Sequence, residues 1–340
     1  MVAERVRVAL IGAGRIGQRH AATLASQIPR AELAAIADVN GLAAEALAAR
    51  VRCQRWTSDP TAVLSDPAID AVVIASSTDS HAPLIIGAAE AGKQIFCEKP
   101  IALDLEATDR ALDAAARAGV RLQMGFQRRF DKAYLKAKEL IDAGAIGRVE
   151  MIHDAMRDPT PAPRAYLETS GGLYRDMTIH NFDCVRWLMG EEAREVYAMG
   201  SALVSPVIRE LDDIDTSIVS LRFASDGLGV IDNSRRSGFG YDVRTEVFGS
   251  EGALMIGYSR DTPILRLDAN GVHSDHIHWF LERFDQAYID ELRAFVDAIV
   301  DGTPPLVTGD DARAAMALAY AAEASRRENT PVPLERFARV

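Results

Sequence analysis

The chain has 340 residues, 48% of them apolar, enough for two domains with full-sized cores. With 38 basic residues against 49 acidic ones the formal net charge is −11, a sign that opposes non-specific binding to nucleic acid or anionic membrane. The three cysteines, Cys53, Cys97 and Cys184, are scattered and form neither a CxxC pair nor a disulfide framework, so a reducing compartment fits.

Residues 6–11 (VRVALI) form the short apolar run of a buried strand, and the run stops at glycines without the length or cleavage signature of a signal peptide. An Ala-rich helical stretch follows to Ile28, and Pro29 ends it. A strand at 33–38 and a helix at 42–50 come next. Short apolar runs at 71–75, 94–97 and 121–124 then alternate with helical stretches, and Gly92 stands at a helix C-cap position. Strands alternating with helices predict a parallel, doubly wound sheet. The pattern changes after a helix near 133–142 and a strand at 148–157. A helix carrying Asp176 and His180 is followed, over 194–268, by successive strands such as 217–223, 228–233 and 245–248 with SDG and GSEG turns between them. Consecutive strands predict a largely antiparallel sheet. Two late helices, near 282–301 and 310–327, flank a break at Pro304 and Pro305. No stretch reaches the ~18 apolar residues of a membrane helix, and a soluble, cytoplasmic protein is expected.

VALIGAGRIG sets Gly12, Gly14 and Gly17 in the G-x-G-x-x-G pattern, after a strand and at a helix start. The first glycine permits the tight turn, the second lets a pyrophosphate approach the backbone, and the third lets helix and strand pack closely. The helix N-terminus favours the negative charge. Arg15 and Ile16 complete the fingerprint loop and count with the glycines as expected cofactor contacts. Asp38, at the end of the second strand, is expected to accept hydrogen bonds from an adenosine ribose and to repel a 2′-phosphate. Val39 and Asn40 offer no arginine to bind such a phosphate, so NAD is expected rather than NADP.

Other signals carry less. HIH at 276–278 puts two histidines on one face of a strand, but without a third or fourth ligand it reads as a surface feature, and no metal is expected. There is no Gly-x-Ser-x-Gly to support a hydrolase. RRFDKAYLKAKE (128–139) is basic and reads as a solvated helix face. In GGLYRDMTIHNFD (171–183), Asp176 and His180 lie four apart, which on an α-helix puts both on one face, one turn apart. Alone, that spacing reads first as a solvated helix face rather than a proton-handling pair.

Three marks together resemble the Gfo/Idh/MocA oxidoreductase family over essentially the whole chain: the glycine fingerprint, Glu98-Lys99-Pro100 after a sheet strand, and Asp176-x-x-x-His180. CEKPI, GFQRRFD, SGGLYRDMTIHNFD, NSRR, GYD with EVFGSEG, and GTPPLVTGDDAR are most similar to its inositol-dehydrogenase branch. The resemblance implies a Rossmann domain over 1–124 and an α/β domain over 125–340 with an open, mostly antiparallel sheet, the last helix packing back on the first domain. It implies tetramers formed through that sheet, and a small polyol or sugar as the partner, with no nucleic acid and no membrane.

The resemblance also implies roles. Lys99 contacts the reacting hydroxyl beside the nicotinamide, and His180 takes the proton with Asp176 supporting it. Gln127, Arg128 and Tyr241 face the polyol, and Ser76, Thr78, His81 and Glu98 lie on the cofactor side. The chemistry agrees: oxidising a secondary alcohol needs a hydride acceptor and a proton acceptor at one carbon. A nearby ammonium stabilises the developing alkoxide, and a carboxylate orients a histidine base. Structural alternatives stay open: Lys99 as a loop lysine, Arg128 as a helix cap, Tyr241 as core filling. The implied reaction is NAD-dependent oxidation of a cyclic polyol, myo-inositol to 2-keto-myo-inositol first. Dehydrogenation of scyllo-inositol, another isomer or an aldose is the near alternative, and a non-catalytic NAD- and sugar-binding regulator the distant one. Ser77, Gln127, Met156 and Asn181 depart from the family's common residues, and they are expected near where the ring hydroxyls are read.

Overall fold

The computed structural model describes residues 5–257 and 259–339. They form two compact units, one running to Phe130 and including Gln286–Ala314, the other comprising Asp131–Asp285 and the chain from Ala315 onward.

The first unit holds six strands: β1 (Val6–Ile11), β2 (Ala31–Ala37), β3 (Trp56–Thr57), β4 (Ala71–Ile74), β5 (Gln94–Glu98) and β6 (Leu122–Gly125). All pair in parallel, in the order β3-β2-β1-β4-β5-β6. β4 is buried at every position and β1 at all but one, which is why both read as continuous apolar runs rather than alternating ones. The strand order reverses between β1 and β4, and ligands bind at that point in open parallel sheets. The glycine loop leaves β1 there and the Ser76 loop leaves β4. Leu292, Phe295 and Val296 of the helix Asp285–Asp301 complete the same core as Leu10, Ile36 and Phe96.

The second unit carries β7 (Val149–Arg157), β8 (Ala193–Ser201), β9 (Thr216–Phe223), β10 (Leu228–Ser234), β11 (Asp242–Gly249), β12 (Gly252–Ile256) and β15 (Val332–Pro333). The sheet order is β12-β11-β7-β10-β9-β8-β15, antiparallel throughout except for the parallel β10–β7 pair. β9 and β11 alternate buried and exposed residues, so one face of the sheet is core and the other is open. The helix Ile179–Met189 lies against β7, and Ile179, Phe182 and Val185 are buried with Val219, Leu221 and Val247. A separate hairpin, β13 (Leu265–Asp268) with β14 (Gly271–Ser274), is largely exposed. HIH at 276–278 lies outside any strand, so the expected two-histidine strand face does not form; the His276 ring tilts against Phe239 with centroids 6.3 Å apart. Among the described residues no helix is long and apolar enough to cross a membrane.

Candidate active site

The glycine loop is shaped by close contact. Gly12 has φ 109°, and a Cβ there would lie 2.4 Å from the carbonyl oxygen of Ala75. A Cβ on Gly17 would lie 1.9 Å from the Gly12 oxygen, so side chains are excluded at both positions. Gly14 has nothing within 4 Å of its Cβ position, which leaves open space over the loop. It also caps the helix Arg15–Ser26 without a side-chain hydrogen bond, so the first amides remain available to an anion. Arg15 is exposed and Ile16 half-buried at this helix start. The Asp38 carboxylate accepts from the Ala13 amide at 2.6 Å through Oδ2 and from the Asn40 amide at 2.8 Å through Oδ1. It thereby ties the loop to the end of β2, and each oxygen keeps a second lone pair for a ribose hydroxyl. These residues fit a dinucleotide.

On the β4 side, the Ser80 hydroxyl donates to the Ser77 carbonyl at 2.7 Å, so in the 2.6 Å contact between Ser76 Oγ and Ser80 Oγ the donor is Ser76. Thr78 opens the following helix, Thr78–Glu90. His81 is buried with its ring between two carbonyls, Nδ1 2.7 Å from Pro100 O and Nε2 3.2 Å from Ser76 O. Burial pushes its pKa below the ordinary histidine value, so the ring is neutral and donates to one carbonyl at a time. His81 therefore braces the loop after β4 against the chain after Lys99. Lys99 itself follows the last residue of β5, half-buried, with a cis peptide to Pro100. The Glu98 carboxylate lies 2.7 Å from His20 Nε2.

Gln127, Arg128 and Arg129 share one 3-10 turn, Gln127–Phe130, and all three are buried. This corrects the expected solvated face: the helix begins only at Lys132, capped by Asp131, and Arg129 is paired with Asp311 at 2.9 Å. The basic doublet is interior because the turn precedes the amphipathic helix instead of belonging to it.

In the second unit the spacing expectation for Asp176 and His180 is also corrected. Tyr174–Thr178 is a π-helical turn, and the α-helix starts at Ile179, so Asp176 and His180 do not sit one α-turn apart on a regular helix. Wide turns of this kind recur at functional sites. Asp176 Oδ1 accepts from the Tyr166 hydroxyl at 2.7 Å, and Oδ2 accepts from Arg235 Nη1 at 3.0 Å. The pair is nearly dry, with Arg235 2% and Asp176 11% exposed at the side chain. Burial works against the Arg235 charge, but the fields of Asp176 and Asp213 outweigh it and hold the guanidinium pKa above its usual value. Arg235 and Tyr166 are absent from the sequence-derived site. NSRR shows two adjacent arginines and carries no sign of which one is interior.

His180, in the first turn of the helix Ile179–Met189, is buried. Asn181 is fully buried: its amide donates to Asp154 Oδ2 at 2.8 Å and its oxygen accepts from Asn233 at 3.0 Å. Thr178 and Thr245 extend that network through Asn233 and Asp154. Both ends of the Asn181 amide are therefore engaged in the polar network of the second unit. Met156, in register with Asn233, is buried beside it. Tyr241 is buried with its ring 6.5 Å from Phe280 and 6.4 Å from Phe284.

Residues 6–126 match the oxidoreductase family with an NAD-binding Rossmann fold, and residues 134–255 match the GFO/IDH/MocA C-terminal domain. The chain belongs to the Gfo/Idh/MocA family. It is 43% identical to the myo-inositol 2-dehydrogenase of Thermotoga maritima, over 97% of this chain and 99% of that protein. It is 39% identical to the NAD(+)-dependent scyllo-inositol 2-dehydrogenase of Bacillus subtilis, over 97% of each. Its fold is similar to that of the scyllo-inositol dehydrogenase of Lactobacillus casei, solved with bound NAD(H) and scyllo-inositol. The TM-score is 0.91 at 29% identity, over 98% of this chain and all of that one. The matched NAD-binding Rossmann fold includes the glycine loop.

Proposed function

We propose that the chain oxidises a secondary hydroxyl of an inositol with NAD, myo-inositol to 2-keto-myo-inositol first. The observation that carries this reading is the near-complete, 43% identical match to a protein named myo-inositol 2-dehydrogenase. Bound NAD supplies the hydride acceptor. Lys99 holds its ammonium at the reacting oxygen and stabilises charge there as the proton leaves. His180 takes that proton. Asp176, kept ionised by the Arg235 guanidinium and the Tyr166 hydroxyl, supports the imidazolium. Gln127, Arg128 and Tyr241 read the remaining ring hydroxyls, while Ser76 and Thr78 lie on the cofactor side.

A second reading, scyllo-inositol as the preferred isomer, is favoured by the likeness to the Bacillus subtilis and Lactobacillus casei proteins. NAD reduction screened across inositol isomers and common aldoses tests both. Myo-inositol is expected to give the highest kcat/KM, and a higher value with scyllo-inositol selects the second reading. No turnover of any sugar, with NAD still bound, overturns both in favour of a sugar-binding regulator. The chain is further proposed to be cytoplasmic and to assemble as a homotetramer through the open sheet face. That face exposes Met151, Met199, Ile218 and Phe248, an apolar surface suited to a second copy.

A further inference from the structure

Beside Lys99, three chemistry-bearing side chains that the proposed proton transfer does not use meet in the interior of the first unit. They are His20 on the helix Arg15–Ser26, Glu98 at the end of β5, and Glu291 on the helix Asp285–Asp301, with one ligand-type atom of each within 4.8 Å of the others. His20 and Glu291 are fully buried. His20 Nε2 and Glu98 Oε1 are 2.7 Å apart, and neither oxygen of Glu291 has a hydrogen-bond partner. Gln123 of β6 donates to the backbone carbonyl of Glu291 at 2.7 Å. Glu98 is hemmed in from the other side: a Cβ on Gly125 would come within 2.9 Å of its Oε2.

An ionised carboxylate with both oxygens buried and unpaired is among the costliest groups a fold can hold. A second carboxylate beside it raises that cost, because two such charges cannot both persist at short range. The cluster could relieve this with a divalent cation or with a proton. The 2.7 Å contact between His20 Nε2 and Glu98 Oε1 is a hydrogen bond, which already has a proton between the two atoms where an ion would have to enter.

We propose that Glu291 is a neutral carboxylic acid at neutral pH and that, with His20, it is a positioning residue: the two hold the Glu98 carboxylate, and through it the adjoining Lys99, in place. The acid proton gives Glu291 a donor toward Glu98 that the ionised form lacks. The groups facing it are His20 from the first helix, Glu98 from β5 and the neutral Gln123 amide from β6. Tyr288, on its own helix, lies against the His20 ring at 6.1 Å. Burial first, and the Glu98 charge second, push the Glu291 carboxyl well above the usual carboxylate range. The positioning role rests on the reading that Lys99 serves the reaction; the protonation state does not.

The sign of the pH effect follows. The folded chain keeps a proton that the unfolded chain releases, so this group costs stability progressively as pH rises from the ordinary carboxylate value toward the folded one. Below the ordinary value both states are protonated and the effect vanishes. Glu291→Gln keeps a neutral donor and removes the titration. Between pH 5 and 9 the full-length variant is therefore expected to gain on the wild type, by up to about tenfold in folding constant per pH unit inside the window. The wild type at pH 7 is expected to show an infrared band of a protonated carboxylic acid that Glu291→Gln lacks.

For positioning, Glu291→Leu is expected to lower kcat about tenfold or more while leaving NAD affinity within about twofold, and Glu291→Gln to restore most of it. If Glu291→Leu does not fold, His20→Leu, which removes the 2.7 Å contact to Glu98, gives the same kcat-against-affinity split. A Glu291→Gln protein that melts lower than the wild type at every pH, with no acid band in the wild type, overturns the neutral acid. One tightly held metal per chain, lost in Glu291→Gln, shows a cation site and overturns it too. Wild-type kcat in Glu291→Leu, or in His20→Leu, overturns the positioning role. Inactivity toward every sugar would remove the enzymatic reading while leaving the melting and infrared results to decide the acid.

Discussion

Arg235→Met removes the buried cation that faces Asp176 and leaves the carboxylate in place. At 3.0 Å, with the two side chains 2% and 11% exposed, the pair falls in the class where deleting one partner costs about 3–5 kcal/mol. Tyr166 still donates to Oδ1 at 2.7 Å, and a hydrogen bond to a charged group retains about 1.5–3 kcal/mol, so the expected loss is at the low end, about 3 kcal/mol. Arg235→Met with Asp176→Asn removes both charges and should recover part of it, with a coupling of about 1–3 kcal/mol in the double-mutant cycle. Urea unfolding of the four proteins at pH 7 measures the stability terms. Inositol-dependent NAD reduction measures turnover, where Arg235→Met is expected to lower kcat with NAD affinity unchanged. Unfolding free energy within about 0.5 kcal/mol of wild type, or losses that simply add in the double variant, would refute the account of Arg235 as the group that sustains the Asp176 charge.

Gly12→Ala forces a Cβ to 2.4 Å from the Ala75 oxygen at φ 109°, so it should cost at least about 1–3 kcal/mol and weaken NAD in a binding titration; a wild-type protein by both measures would contradict the packed loop. Asp38→Ser should lower kcat/KM with NAD and weaken discrimination against NADP; an unchanged ratio would mean that Asp38 only ties the loop. His180→Ala should lower kcat by roughly 10²–10⁴ and abolish the rise of oxidation rate with pH. Lys99→Ala should be similarly damaging, without adding to the His180 loss, since the two act as one unit. Near wild-type turnover with the pH limb intact in His180→Ala would place the base elsewhere. Phe248→Asp, on the open sheet face, should shift the assembled protein to smaller species in light scattering without loss of fold.

The first unit was legible because its signals are local. A buried parallel strand must be apolar on both faces, a glycine loop must lack side chains where backbones touch, and both requirements are written in consecutive residues such as VALIGAGRIG. The strand-rich pattern of the second unit was legible for the same reason, through successive short strands with SDG and GSEG turns between them. The choice of NAD followed from one acidic residue at a strand end. What tertiary structure alone decided are burial and partnership of polar groups. Asp176 and His180 have helical spacing in sequence, yet the segment widens into a π-turn, and Asp176 pairs with an arginine 59 residues away. Arg128 and Arg129 look like a solvated charge run and are interior. Glu291 reads as one more acid on an amphipathic helix and is sealed against His20 and Glu98. A charged side chain carries the same letter whether it meets water or a distant partner. Only chain crossings set by the packing of whole elements determine which, and with it whether the group is a surface charge, a clamp or a neutral acid.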